Sequence, residues 1–170
     1  IYLKAKNRLF FSYVQNDTLF AGRTPDSRYV YSASSLSIDR SSLAGYVAAT
    51  GEPLIIDDVY DIQSTVSYSF NPEYDTKSNY RTRSMLIVPL LTRDDALVGV
   101  LQLINAIDES GQTVPFSYGD TLIATQFAQH AADAIERARL SRDMVLRMVE
   151  LSGLRDPYET GQHAKRVGAY

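Results

Sequence analysis

The chain has 170 residues, 45% of them hydrophobic and 22% charged, which suits one domain with a proper core plus an appendage. Its formal net charge of −3 argues against non-specific binding to nucleic acid or anionic membranes. It has no cysteine, which excludes disulfides, thiolate metal sites, a thiol nucleophile and sulfur-linked bilin or haem.

Residues 1–16 alternate apolar and polar side chains around Asn7-Arg8 and predict a hairpin. Arg23–Arg28 is a loop by its Pro and Asp, and Tyr29–Ser37 predicts a short strand. Leu43, Val47 and Ala48 make an apolar stripe, with Ser41 or Ser42 as N-cap and Gly51 where a C-cap belongs, so a short helix is expected. Glu52–Asp57 follows as a brief strand. Residues 57–80 are polar, irregular and interrupted by Pro72; a connection this long suits a lid or binding loop.

Met85–Leu91 and Leu97–Ile104 are uncharged apolar runs flanking the polar turn Thr92–Ala96, and they predict a hairpin at the centre of a sheet. Val98, Val100, Gln102 and Ile104 share one strand face. Gln102 is the polar member of that row, and a buried amide needs a partner in protein, water or a ligand. Arg81 and Arg83 are expected to face solvent or pair with Asp.

Asp108–Pro115 is a polar loop. A long helix is expected from about Tyr118, with Ser117 as N-cap and Asp120 in its first turn. Phe127, Ala131, Ala134, Ala138, Val145 and Met148 recur with heptad-like spacing, while Leu122, Ile123 and Ile135 lie on another face. One face for the sheet and a small-residue face for a second copy predict a homodimer through the 118–150 helix. His130 is expected at the surface or in that interface. Arg155-Asp-Pro breaks the helix, and another begins near Gln162. No apolar run approaches the ~18 residues of a membrane span, and the cytoplasm is the expected compartment. Neither end carries a start or stop signal, so a piece of a longer protein is expected.

Three stretches in series carry a family resemblance. They are Leu43-Ala-Gly-Tyr-Val-Ala-Ala-Thr-Gly-Glu-Pro-Leu54 with Asp57-Asp-Val-Tyr60, then Tyr80-Arg-Thr-Arg-Ser-Met-Leu86 with Pro89, then Gly99-Val-Leu-Gln-Leu-Ile-Asn105. In order and spacing residues 1–140 resemble the GAF family of regulatory ligand-binding domains. The resemblance implies an α+β fold: an antiparallel sheet of about six strands, helices on one face, a pocket on the other and a long C-terminal helix. It also implies ligand contacts at Val14, Gln15, Leu43, Ala44, Asp75, Ser78, Thr82 and Gln102. Asp75, Ser78 and Thr82 would then offer a carboxylate and hydroxyls to a base or ribose edge. The ligand would be a cyclic nucleotide or another purine-like metabolite. The chain looks most like the cyclic-nucleotide-binding members found in phosphodiesterases and cyclases. Their Asn-Lys…Phe…Asp-Glu pattern is matched by Asn105, Phe116 and Asp120 but not by Ala106 and Thr121. The Lys missing at 106 would have faced the Asp as a clasp over the pocket.

Residues 141–154 read as a linker helix. From 155 to 170, Arg155-Asp-Pro, Glu159-Thr-Gly-Gln-His163 and Arg166-Val167 look like the truncated start of an HD-GYP phosphohydrolase domain. That family hydrolyses cyclic di-GMP with a cluster of divalent metals, iron or manganese. The resemblance implies Glu159 and His163 as metal ligands in the intact protein. Two ligands cannot make a catalytic metal site, so no activity and no cofactor are expected of residues 1–170 by themselves.

Overall fold

The computed structural model describes residues 1–15 and 35–155. In chain order its elements are β1 (Tyr2–Ala5), β2 (Arg8–Phe11), β3 (Ser35–Ser37), α1 (Leu43–Thr50), β4 (Leu54–Ile56), α2 (Glu73–Ser78), β5 (Met85–Leu91), β6 (Leu97–Ile104), β7 (Ala106–Ile107), β8 (Thr113–Val114) and α3 (Tyr118–Arg155). Six strands form one antiparallel sheet in the order β3-β2-β1-β6-β5-β4, and β7 pairs with β8 beside it.

The sheet is built on the β5–β6 hairpin. Its register sets Ile87 opposite Gln102 and Pro89 opposite Val100, and a bulge falls at Leu90/Leu91. The first face therefore carries Met85, Ile87, Val100 and Gln102, and the second carries Leu86, Val88, Leu90 and Leu101. Pro89 lacks an N–H yet sits in an interior strand; β4 makes this tolerable because its pairing stops at Ile87. Gly99 lies opposite Leu3, where a Cβ would come within 2.3 Å of the Tyr2 carbonyl oxygen, so no side chain fits between β1 and β6.

The first face finds its cover in a helix. On the first face Leu43, Ala44, Val47 and Ala48 of α1 join Leu9, Ile56, Val59, Met85, Ile87 and Val100 in one buried cluster. Each large aliphatic side chain so buried contributes roughly 1.5–3 kcal/mol. The second face is buried too. Ala124, Ala128 and Ala132 of α3 are buried as well, at i, i+4, i+8 spacing along one helix face. This corrects the reading of the helix faces. Leu122, Ile123 and Phe127 are exposed, and the alanines lie inside. Of the expected dimer stripe, Ala134, Ala138, Val145 and Met148 are exposed and Ala131 is half-buried.

The end signals match the expected caps. Ser42 accepts a hydrogen bond from the Gly45 amide and Gly51 closes α1 at φ 74°. Ser117 and Asp120 cap α3 reciprocally, at 3.1 Å and 2.7 Å, and the Ser117 contacts hold the Asp120 carboxyl below its ordinary value. The chain divides into two compact units, Ile1–Ala132, which holds the sheet, and Asp133–Tyr170. Among the described residues no helix is long and apolar enough to cross a membrane. The expected strand over 29–34, the 155–170 segment past Arg155, and Glu159 and His163 lie outside the described residues.

Candidate functional site

On the first face of the sheet, beside α1, the packing leaves a cavity of about 290 Å³. Its floor is Tyr2, Phe11, Leu36, Met85, Gln102 and Ile104 from five strands. Ser42, Leu43 and Ala44 at the start of α1 form one wall, and residues between Ser69 and Thr82 form the roof. The short α1 thus shares the pocket's face of the sheet.

The wall is pinned close to the sheet. A Cβ on Gly45 would meet the Ser37 carbonyl oxygen at 2.5 Å, so this turn of α1 can press on β3 only as glycine. The roof is stitched to the wall where the Ser69 amide and hydroxyl both donate to the Ser41 carbonyl at 3.0 Å. Residues 57–80 are therefore no featureless loop. They contain α2, which starts directly after Pro72 and ends on Asn79 at φ 53°.

Two side chains hold the roof in place. The Asp75 carboxylate accepts from the Thr82 amide (2.7 Å), the Thr82 hydroxyl (2.7 Å) and the Tyr60 hydroxyl (2.8 Å). That contact raises the pKa of the Tyr60 phenol above its ordinary value. Asn105, at φ 57° just past β6, accepts from the Arg83 amide at 2.7 Å. Its amide group donates to the Tyr80 hydroxyl (2.9 Å) and the Arg81 carbonyl (2.8 Å). Neither arginine lines the cavity. Arg81 lies 4.3 Å over the Tyr60 ring and Arg83 pairs with Asp58 at 3.6 Å, as expected for charges beside a strand.

Val14, Leu43, Ala44, Asp75, Ser78, Thr82 and Gln102 are brought together around this one cavity. Gln15 is not: it is exposed, and its amide oxygen accepts from the Tyr13 hydroxyl at 2.8 Å. The polar groups are also arranged differently from expectation. Ser78 donates to the Tyr74 carbonyl (2.6 Å) and Thr82 to Asp75, so both hydroxyl protons are engaged within the protein. Gln102 differs. Its amide nitrogen reaches the Met85 sulfur at 3.7 Å, a weak acceptor, and that is its one side-chain partner among the described residues.

Two features escaped the sequence reading. Tyr2, Tyr74 and Tyr80 line the cavity, and nothing in their sequence setting singled them out. Asn105 carried a usable signal: asparagine tolerates the left-handed region, and it directly follows an apolar strand. Among the described residues no group of three or more His, Asp or Glu is placed to hold a metal.

The profile of the GAF domain matches residues 1–135. The chain belongs to the GAF domain family. Over 100 residues (59% of the chain) it is 31% identical to the Drosophila melanogaster "Dual 3',5'-cyclic-AMP and -GMP phosphodiesterase 11". Over 66 residues (39% of the chain) it is 39% identical to the Caenorhabditis elegans "Probable 3',5'-cyclic phosphodiesterase pde-5". It spans only 6% and 8% of those two proteins' lengths. The crystal structure of the GAF domain of an Acinetobacter phosphoenolpyruvate-protein phosphotransferase superposes with a TM-score of 0.56 at 18% identity, covering 82% of this chain and 70% of that one. That likeness speaks for the fold.

In this GAF domain the departure from the cyclic-nucleotide pattern does not touch the cavity. Neither Ala106 nor Asp120 lines it, and the Asp120 carboxylate is engaged in capping α3. With Ala at 106 no such clasp forms, and the roof is held by Asp75 and Asn105.

Proposed function

We propose that this GAF domain is the small-molecule sensor of a signalling protein, with the ligand held under the 69–82 roof. The observation that carries the reading is the cavity itself, on which the expected contact residues converge around an open Gln102 carboxamide. The names of the relatives point to cyclic nucleotides or related purines as the first ligands to try. The tail's resemblance to HD-GYP domains supports a cyclic-di-GMP phosphodiesterase downstream, its divalent iron or manganese held in part by Glu159 and His163. The protein would act in the cytoplasm. Residues 1–170 would be regulatory and non-catalytic.

Signal output would run through α3. Its exposed Phe127, Val145 and Met148 suit a homodimer, and a ligand would bias two arrangements of the paired helices by no more than its differential affinity for them. Calorimetric titration with cAMP, cGMP and purine metabolites tests the sensor. Micromolar or tighter binding is expected, and flat titrations throughout would leave a ligand-free dimerisation module, the reading favoured by the exposed apolar face of α3. Sedimentation at micromolar concentration then decides the dimer, which a monomer of 19.0 kDa would refute.

A further inference from the structure

β4 ends the six-stranded sheet, with β5 on one side of it and, among the described residues, no strand on the other. Nor does any other described residue bond to the backbone of Leu54, Ile55 or Ile56. A strand at a sheet edge presents unpaired N–H and C=O groups, a template for a further strand. The surface beside this edge is apolar. Ile55, Tyr60 and Val66 are exposed at 37%, 41% and 39%. A hollow of about 380 Å³ runs from Ile55 and Ile56 to Ile62, Val66 and Tyr68. A second, of about 370 Å³, shares its wall of Ile62, Val66 and Tyr68 and continues to Phe70 and Pro72. The first hollow has no residue in common with the cavity under the roof.

The charge around this groove has one sign. From Ser41 to Thr76 the chain has Glu52, Asp57, Asp58, Asp61, Glu73 and Asp75 but no Lys, Arg or His. Asp57, Asp58 and Asp61 line the first hollow. Asp58 is paired with Arg83 at 3.6 Å, and Arg81 lies over the Tyr60 ring. Asp57 and Asp61 are exposed, and neither has a side-chain partner among the described residues.

These charges sort the possible occupants. A nucleic acid or an anionic membrane is repelled, and so is the same edge of a second copy, which brings the same aspartates. A strand that alternates basic and apolar side chains meets every demand at once. Its backbone pairs with β4, its apolar face fills the hollow, and its cations reach Asp57 and Asp61. We propose that β4 and the groove beside it dock an extended basic segment of a partner protein, which joins the sheet as a further strand.

The test is fluorescence anisotropy on the full chain with labelled peptides of about six residues, the usual strand length. One alternates Lys and Val, one is the same peptide with Pro at its centre, and one alternates Glu and Val. The Lys–Val peptide should bind saturably, about tenfold tighter or more than either control, and more weakly as salt rises. Hydrogen exchange at the amides of 54–57 should slow in its presence. Replacing both aspartates (Asp57→Asn with Asp61→Asn) should weaken it about fivefold or more, the size of two exposed ion pairs. Absence of binding by the Lys–Val peptide overturns the proposal. So does equal binding of the Pro or Glu peptide, full affinity in the Asn variant, or exchange that slows elsewhere but not at β4. Sedimentation of Ile55→Glu covers the remaining occupant. A dimer of the native chain that this variant dissociates would seat a second copy on the edge and overturn the proposal too. The comparison among peptides needs no variant, and none of these outcomes touches the sensor reading.

Discussion

Floor and roof of the cavity are made by opposite strategies. The floor is continuous backbone ladder, with Leu86, Ile87, Val88 and Leu90 fully buried and their alternating side chains locked in two apolar layers. The roof has one short helix with no buried residue, held by the side chains of Asp75 and Asn105 and by a stitch at Ser41 and Ser69. Burial resists local opening because any opening exposes apolar area; a few hydrogen bonds at the surface resist it far less. The roof is thus the part that can open at low cost while the floor keeps its shape.

Three substitutions probe that contrast. Ile87→Ala, in the floor, should cost about 2–5 kcal/mol and lower the urea midpoint of the whole domain, with no region opening ahead of the rest. Asn105→Ala should cost less, about 2 kcal/mol. It strands the Arg83 amide and the Arg81 carbonyl and replaces a residue suited to φ 57°. Hydrogen exchange should show 80–83 and the end of β6 loosening together. Asp75→Asn should have the smallest global effect, about 1 kcal/mol, because it removes a charge-assisted contact at the edge of the fold. Its signature would be faster exchange across 73–82 at a nearly unchanged urea midpoint. An Asp75→Asn effect on the midpoint as large as that of Ile87→Ala would mean that roof and floor unfold as one unit.

The sequence was informative wherever the signal was local. Two uncharged runs around a polar turn place β5 and β6 to the residue, and Ser42, Gly51, Ser117 and Asp120 mark helix ends because capping acts within four positions. α2 was missed because it has six residues, no buried one and hence no apolar period to detect. The faces of α3 were misread because bulk was taken as the mark of burial. The buried residues of α3, among those described, are the small Ala124, Ala128 and Ala132, while the larger Leu122, Ile123 and Phe127 are exposed. The site was legible as a set of positions, carried by the family resemblance, but not as chemistry. Whether a hydroxyl faces a ligand or a neighbour depends on partners far along the chain, as Thr82 shows with Asp75 and Asn105 with Tyr80.

Asn105 has a consequence for how the sequence can drift. A left-handed backbone admits Gly, Asp or Asn at low cost, which rules out Gln however well its amide might reach. A side chain that must accept at one end and donate at the other admits Asn or Gln, which rules out Asp and Gly. The two demands intersect in a single amino acid. Its neighbours Ile104 and Ala106, neither of them buried, face no such double constraint. Among variants that keep the roof in place, position 105 should therefore stand as a fixed letter.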